Sequence, residues 1–454
     1  MSRIEKDLIG TVEIADDALY GIHSYRAREN FPITKRGMDP AFIRNIALVK
    51  KAAATVNKEN NDFDSEKAAA IIKACDKVMN GEHLDSFIVD LIQGGAGTSA
   101  NMNANEVIAN LAIIELGGKA GQYEIVDPLD DVNLHQSTND VIPTAARLTV
   151  MDKAKDLIGA LKYLKEELDR KAAEYENLYR LGRTQLQDAV PMRASRSFEA
   201  YSSMIGRSIT KIENVLKYMR HVNLGGTAIG SGIASNRYYH ENIVKRLSEL
   251  SGYELSQFYN LYDGTQNVDD FASVSAEIRV CALSLSKMAN DFRLLSSGPV
   301  SGYREYDLPD KQSGSSIMPG KVNPVIPETL NQAAFLVIGN DVTVMMVAEA
   351  GQLELNAFLQ VLLFQLFESI DVLSNTITTF VDNCLKGLVI IEDRCTYNVE
   401  HSASLATALV PLIGYEKASQ IVKKALSSGK TIFEVAEEYG ISRKQIEDNL
   451  NPLD

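Results

Sequence analysis

One short run of the chain brings together several side chains that can take part in catalysis. Residues 314–324 read Gly-Ser-Ser-Ile-Met-Pro-Gly-Lys-Val-Asn-Pro. The two glycines let the backbone bend, and the first proline stiffens the middle of the run. Its polar side chains are those of Ser315, Ser316, Lys321 and Asn323. This order is typical of a loop that closes over a small anionic substrate and brings a base to it.

Three other segments, far apart in the sequence, are rich in small hydroxyl and amide side chains. They are Gly97-Thr98-Ser99 with Asn101 and Asn103, then Gln136-Ser137-Thr138-Asn139-Asp140, then Gly182-Arg183-Thr184-Gln185-Leu186-Gln187-Asp188. Such side chains are weak catalytic groups, but they donate hydrogen bonds well to carboxylate oxygens. Together with the loop they indicate a site for a substrate that carries more than one carboxylate.

Each segment also has a purely structural explanation. Thr98 or Ser99 can cap the helix that follows, which the pattern places over Asn103 to Ile114. Residues 137–140 can form a turn with a cap, and residues 184–188 can begin another helix.

Long helices must position these segments. Leu157, Leu161, Leu164 and Leu168 recur at spacings of four, three and four, which predicts one apolar stripe of a long helix. Similar stripes fill residues 196–220, 266–296 and 327–385. Few strand-like alternations interrupt them, so we expect an all-α chain built on a central bundle of long helices. The apolar content of the bundle favours a homo-oligomer.

Changes of pattern along the chain predict three domains. Residues 1–139 form a mainly helical N-terminal domain, residues 140–393 the central helix bundle, and residues 394–454 a small C-terminal helical domain. In the last domain, Thr431 to Ala436 and Ser442 to Leu450 are predicted to be two short helices.

Composition narrows the class of protein. The 454 residues are 45% hydrophobic and only 7% aromatic, with no Trp, which favours helices. The formal net charge of −14 argues against a nucleic-acid partner or an anionic membrane surface. The four cysteines are scattered, and the N-terminus has no apolar signal segment. The apolar stretch at 358–367 is too short to span a bilayer. These features predict a cytoplasmic protein. The six histidines show no metal-ligand pairing, so no required metal or organic cofactor is expected.

The run at 314–324 is similar to the signature of the aspartase/fumarase superfamily, whose members eliminate ammonia, water or an amine from a succinyl-type substrate to give fumarate. The other three polar segments follow the order found in that superfamily, and the resemblance covers most of the chain. It implies a dicarboxylate substrate and a homotetramer in which three such regions, from different subunits, assemble each active site.

The resemblance also implies roles for individual residues. Ser315 is expected to be the base. The carboxylate beside the carbon that loses its proton is expected to be held by Thr98, Ser137, Thr138 and Ser316. The other carboxylate is expected to be held by Thr184, Lys321 and Asn323, and Asn139 and Gln185 are expected to lie near the leaving amino group.

Within the superfamily, three features favour removal of ammonia from aspartate. Thr138 and Gln185 stand where fumarases usually carry Ser and His, and the segment Tyr20 to Phe31 is closer to aspartases. A glutamine cannot shuttle the proton that activation of water requires, whereas ammonia leaves without that relay. The expected reaction is therefore the reversible deamination of L-aspartate to fumarate and ammonia.

Several departures from the usual aspartase pattern leave alternatives open. They are Arg193 to Ser197, Ala234, Val300 and Asn356 to Gln360. Arg193 and Arg196 are either solvated helix residues or a means of accommodating a bulkier or more acidic substrate. The alternatives are a class II fumarate hydratase, a lyase for a modified aspartate, and a catalytically silent, crystallin-like structural protein.

Overall fold

The computed structural model describes residues 1–450, and helices account for most of them. The α-helices are α1 Ile22–Asn30, α2 Pro40–Glu59, α3 Ser65–Met79, α4 Thr98–Glu115, α5 Thr138–Glu174, α6 Ser195–Val215, α7 Arg237–Ser251, α8 Leu261–Gln266, α9 Asp269–Leu295, α10 Val325–Glu349, α11 Leu359–Phe380, α12 Glu392–His401, α13 Val410–Ile413, α14 Tyr415–Ser428, α15 Ile432–Glu438 and α16 Arg443–Glu447. Tighter 3₁₀ turns occupy Leu84–Ser86, Tyr218–Arg220 and Ala403–Leu409, and a π-helical turn occupies Val381–Leu385.

Strands occur among the described residues only as two-stranded pairs. The strands are β1 Ser2–Lys6, β2 Thr11–Ala15, β3 Tyr179–Thr184, β4 Gln187–Arg193, β5 His221–Val222, β6 Ser256–Gln257, β7 Tyr306–Asp307 and β8 Val389–Ile390. Only β5 and β6 pair in parallel. The predicted all-α fold class is confirmed.

The predicted helix stripes correspond to long helices. On α5 the side chains of Leu157, Leu161, Leu164 and Leu168 are all fully buried. The stretch 327–385 differs from the expectation, because α10 and α11 are separated by residues 350–358. Leu353 adopts a positive φ of 53° there, which a helix cannot include.

The described chain forms two compact units, each assembled from several stretches of sequence. The first unit contains Met1–Ile158, Thr210–Val280 and Leu336–Leu373. The second contains Gly159–Ile209, Cys281–Phe335 and the chain from Ser374 onward. The boundaries fall inside five of the long helices. The division at residues 139/140 and 393/394 stays a prediction.

The end of the described chain forms short helices around a small apolar core. Leu405, Leu409, Ile421 and Val435 are fully buried in it. Thr431 and Ser442 are the N-caps that precede α15 and α16, and each forms a reciprocal capping pair with the residue three positions later. The two short helices predicted here are confirmed.

Helix α10 is, within residues 1–450, the one helix long and apolar enough to cross a bilayer by length and composition. Its polar residues bond to neighbouring helices, since Asn331 donates to Ser286 Oγ at 2.9 Å and Asp341 pairs with Arg279 at 2.6 Å. A core helix of a bundle has the same composition, so length and apolarity alone are weak evidence for a membrane span.

Candidate active site

The run at 314–324 is a loop between β7 and α10 whose two ends are bonded to each other. Gly314 N donates to Lys321 O at 2.7 Å, and Asn323 Nδ2 donates to Gly314 O at 2.9 Å. A Cβ atom at Gly314 would lie 2.6 Å from Lys321 O. Only glycine fits this close approach of two backbone segments, which explains the first glycine of the run.

The Ser315 hydroxyl lies inside a tight turn of this loop. Its Oγ accepts hydrogen bonds from Ile317 N at 3.2 Å and Met318 N at 2.9 Å. Donors aimed at an oxygen favour its negatively charged form over its neutral form. The turn therefore lowers the cost of removing the Ser315 proton, which is what a serine must overcome to act as a base.

Two neighbouring groups in the loop remain available to a ligand. The side chains of Ser316 and Lys321 are exposed, and neither forms a hydrogen bond or an ion pair with another of the described residues. Asn323 is half-buried, and its amide nitrogen is used to close the loop.

The third polar segment forms the tip of a hairpin, so its possible reading as the start of a helix is wrong. Strands β3 and β4 pair with Thr184 opposite Gln187, which leaves Gln185 and Leu186 as a two-residue turn. Both have positive φ, 53° and 63°, where Asn-Gly would be the usual sequence. Strained backbone at non-glycine residues is often found at functional sites. Both Thr184 and Gln185 are exposed at this tip.

A buried carboxylate anchors the base of this hairpin. Glu305 is fully buried, and its oxygens pair with Arg180 at 2.9 Å and Arg183 at 2.5 Å. Burial alone would raise the pKa of Glu305, but the two guanidinium groups outweigh it and hold the pKa below its usual value. Because Glu305 directly precedes β7, the same ion pairs also fix the strand that leads toward the loop at 314–324.

In the first polar segment, Thr98 is the first residue of α4 and is exposed. The expectation that Thr98 or Ser99 caps this helix is wrong, because Gly97 occupies the cap position with φ of +90° and the side chain that accepts from the first turn is that of Gln93, whose Oε1 bonds to Ala100 N at 2.9 Å. The N-terminal backbone N–H groups of a long helix favour an anion. The Thr98 hydroxyl therefore lies where a carboxylate would be stabilised.

The second polar segment does form the expected turn with a cap. Ser137 Oγ accepts from Asn139 N at 3.2 Å, and the Asp140 carboxylate accepts from Ser137 N at 2.9 Å. Asp140 is fully buried and also accepts from Gly225 N and Thr227 N at 3.1 and 3.0 Å. Burial raises the pKa of Asp140 to about 6, and these backbone N–H groups oppose the rise. The cap does not use the side chain of Thr138.

Two side chains join the second segment to its surroundings. Asn101, one turn after Thr98 on α4, donates from Nδ2 to Thr138 Oγ1 at 3.1 Å. Asn139 donates from Nδ2 to Ala228 O at 2.7 Å, so its amide nitrogen is engaged with the segment after β5. The helix that carries Thr98 and the segment that carries Thr138 are thus in direct contact.

The predicted residues fall into two groups, one in each compact unit. The first unit holds Thr98, Ser137, Thr138 and Asn139, and the second holds Thr184, Gln185, Ser315, Ser316, Lys321 and Asn323.

Sequence reasoning missed two polar residues behind the first group. Asn133 Oδ1 accepts hydrogen bonds from Asn101 Nδ2 at 3.1 Å and from Lys50 Nζ at 2.8 Å. A signal for Lys50 was present, because it follows Ile43, Ile46 and Ala47 at helical spacing and therefore falls on the buried face of α2. Asn133 lies in a loop, where no periodic pattern marks a buried residue.

The residues described by the structure bring no three His, Cys, Asp or Glu side chains together as a metal site would.

Comparison with known proteins places the whole chain among lyases. A family described as "Lyase" matches residues 10–339, and one described as "Fumarase C C-terminus" matches residues 405–454. An aspartate ammonia-lyase from Bacillus sp is 45% identical over 453 residues, which is 100% of this chain and 97% of the relative. An aspartate ammonia-lyase from Escherichia coli K12 is 43% identical over 97% of this chain and 92% of its own length.

Solved structures show the same similarity. A fumarate lyase:delta crystallin from Brucella melitensis, bound to cobalt, is 46% identical, with a TM-score of 0.96 over 100% of this chain and 99% of that one. A class II fumarase from Schistosoma mansoni is 30% identical, with a TM-score of 0.92 over 100% of both chains. The match to the lyase family spans well over half of the chain, and the full-length relatives agree with it. The chain therefore belongs to the aspartase/fumarase superfamily of lyases.

Proposed function

We propose that this enzyme removes ammonia from L-aspartate to give fumarate, reversibly, with Ser315 as the base that takes the proton. The observation that carries the proposal is the environment of Ser315 Oγ, which accepts two backbone N–H bonds inside the loop that also bears Lys321. The full-length similarity to proteins named aspartate ammonia-lyase gives the substrate.

The reaction requires removal of a proton from a carbon beside a carboxylate, and that carbon acid is very weak. As the proton leaves, negative charge builds on the carboxylate oxygens and gives an enediolate-like group. Preorganised donors that face these oxygens stabilise the charge, and one such donor is worth roughly 10²–10³ in rate. In this proposal the donors are Thr98, Ser137, Thr138 and Ser316.

In this proposal the second carboxylate of the substrate binds to Lys321, the cation of the loop at 314–324. Lys321 is exposed and forms no ion pair with the other described residues, so its charge is available to the substrate. Thr184 and Asn323 complete this part of the proposed site. The same positive charge helps to stabilise the Ser315 alkoxide.

The leaving group distinguishes the two main activities of the superfamily. Gln185, at the strained hairpin tip, and Asn139 are proposed to lie near the amino group. An amide can accept or donate a hydrogen bond, but it cannot take up and pass on a proton at neutral pH. Departure of ammonia tolerates Gln185 better than activation of water does.

Membership of this superfamily points to a dicarboxylate substrate and an oligomeric enzyme. We propose specifically a cytoplasmic homotetramer in which each active site takes residues from different subunits. Support comes from α10, where Phe335, Val342 and Met346 are exposed at helical spacing and form an apolar stripe. A stripe of this kind is typical of a contact between helices of different subunits.

The test follows the ultraviolet absorbance of fumarate with purified enzyme and either L-aspartate or L-malate in parallel. Fumarate from aspartate alone is the expected result. Production from malate alone would overturn the argument from Gln185 and identify a fumarate hydratase. Absence of fumarate from both would contradict the proposal and direct attention to a modified aspartate, close to Arg193 and Arg196.

A further inference from the structure

A lysine is buried behind the segment that carries Ser137, Thr138 and Asn139. Lys50 lies on α2, its side chain is fully buried, and its Nζ donates to Asn133 Oδ1 at 2.8 Å. Lysines are almost never fully buried unless they are paired. No ion pair joins Lys50 to a carboxylate of residues 1–450, so its burial needs another explanation.

Asn133 connects Lys50 to both sides of the proposed carboxylate site. Its Oδ1 also accepts from Asn101 Nδ2 at 3.1 Å and Asn105 Nδ2 at 3.3 Å, and its Nδ2 donates to Gln136 O at 3.1 Å. Asn101 lies one turn beyond Thr98, and Gln136 directly precedes Ser137. One side chain thus holds the helix and the loop that present the predicted donors.

Asn101 carries this connection to the Thr138 hydroxyl. Its Nδ2 donates to Thr138 Oγ1 at 3.1 Å as well as to Asn133. Since Oγ1 uses a lone pair to accept this bond, its own proton is free to point toward another acceptor. A substrate carboxylate is such an acceptor.

The cluster contains more oxygen acceptors than donors that reach them. The buried atoms Asn101 Oδ1, Asn105 Oδ1 and Gln136 Oε1 have no hydrogen-bond partner among the described residues. Surroundings rich in acceptors suit a protonated amine, which has three N–H donors and no acceptor.

We propose that Lys50 is a positioning residue of the reaction. Its ammonium holds Asn133 and, through Asn133 and Asn101, orients the Thr138 hydroxyl toward the carboxylate beside the carbon that loses its proton. It also places a positive charge behind that carboxylate, where charge increases during the reaction. This role depends on the deamination proposed above.

The groups that face Lys50 allow its charge to be tested by pH. Burial lowers the pKa of Lys50 to about 7, although Asp140 on α5 opposes the change. Burial raises the pKa of Cys75, on α3, to about 12, and it raises that of Tyr239, on α7, well above its usual value. Near neutral pH the titrating groups of the cluster are therefore Lys50 on the alkaline side and Asp140, whose pKa is about 6, on the acid side.

The experiment compares Lys50→Met, Lys50→Arg and a matched control, Lys51→Met. Lys51 is next to Lys50 on α2, but its side chain is partly exposed and pairs with Asp76 at 2.6 Å, away from Asn133. For each folded variant, kcat and KM for L-aspartate are measured across pH, with circular dichroism and oligomer size as checks of structure.

Lys50→Met is expected to lower kcat/KM by about 10- to 100-fold, mainly through kcat, because the charge it supports develops in the transition state. Lys50→Arg keeps its proton at all working pH values, so its activity should persist to higher pH than that of the wild type. The control should behave as the wild type. A purely structural role for Lys50 would change stability without moving the pH profile.

A double-mutant cycle gives a second test that does not depend on whether arginine fits. Asn133→Ser removes the connection while the charge of Lys50 remains, so it should lower kcat, but by no more than Lys50→Met does. The double variant should lose about as much as Lys50→Met alone, and less than the two single losses combined, because both residues act on Thr138 through one path.

Normal kinetics of a folded Lys50→Met, or additive losses in the cycle, would overturn the inference while leaving deamination intact. A wild type that produces no fumarate from aspartate would overturn the proposed function first. Calorimetric titration with the nitronate of 3-nitropropionate, which carries negative charge where the enediolate-like group would, then decides the role of Lys50, and equal binding by the wild type and Lys50→Met would overturn it.

Discussion

At the scale of single residues, the two backbone N–H donors to Ser315 Oγ are the feature that best fits a role as the base. Replacing it with Ala removes the proposed base but leaves the backbone of its turn able to form. We expect Ser315→Ala to lower kcat for aspartate by about 10²–10⁴-fold, the usual range for loss of a general base, with fold and oligomer unchanged. Initial rates of fumarate formation measure the effect.

The matched control is Ser313→Ala, which lies directly before the hydrogen bond between Gly314 and Lys321 that closes the loop. Ser313 is exposed and has no role in the proposed site. Near-normal turnover by Ser315→Ala, or an equal loss in both variants, would show that Ser315 is not the base.

Lys321 tests the binding of the second carboxylate. Its ammonium is exposed and makes no ion pair with other described residues, so Lys321→Ala should disturb the folded enzyme little. We expect KM for aspartate to rise by about 10- to 100-fold, the value of one hydrogen bond to a charged group. Lys311→Ala, an exposed lysine ten residues earlier, is the control, and an unchanged KM in Lys321→Ala would contradict the assignment.

At the scale of elements, the helices were predictable and the hairpin was not. The leucine stripe of α5 predicts a helix, because four apolar residues at these spacings lie on one face only in a helix. The turn of the β3–β4 hairpin is made by Gln185 and Leu186, neither of which belongs to the residues that normally occupy positive φ. The ion pairs of Glu305 hold the base of this hairpin, and they join residues more than a hundred positions apart, which no local pattern can reveal.

The candidate site also contains features that the sequence predicts and features that it does not. The polar residues of the loop at 314–324 could be recognised from their types and spacing. The N–H donors to Ser315 Oγ could not, because backbone groups have no sequence signature. Thr98 shows the opposite error, since a hydroxyl at the start of a helix suggests a cap, whereas Gly97 takes that position.

Because Glu305 is buried and paired at the base of the β3–β4 hairpin, a substitution that removes only its charge should destabilise the fold strongly. Glu305→Gln removes the buried negative charge and leaves the guanidinium groups of Arg180 and Arg183 without their partner. Breaking a buried ion pair on one side costs about 3–5 kcal/mol, and we expect the free energy of unfolding in urea to fall by that amount. In Glu199→Gln, which breaks an exposed pair with Arg196, it should fall by less than about 1 kcal/mol. Equal losses would show that Glu305 does not anchor the hairpin.

At the scale of the whole molecule, the apolar stripe of α10 predicts how copies assemble. Val342 and Met346 are 48% and 64% exposed, and Gly339 on the same stripe allows a close approach of another helix. We expect native mass spectrometry to give about four times the chain mass of 49.9 kDa for the wild type, and smaller, inactive species for Val342→Glu with Met346→Glu. Lys245→Glu on α7 serves as the control, and a monomeric wild type would contradict the assembly.

The buried Lys50 and Asp140 also link folding to proton binding. The pKa of Lys50 falls from 10.5 to about 7 on folding, so the unfolded chain binds more protons between these values and stability should rise with pH there. The pKa of Asp140 rises from 3.8 to about 6, so stability should fall as pH increases through that window. Both groups therefore oppose folding most between about pH 6 and 7, where both are largely ionised. In Lys50→Met, the free energy of unfolding should no longer rise with pH above about pH 7. An enzyme that is most active near neutral pH would therefore work where the ionisation of its buried Lys50 and Asp140 destabilises the fold most.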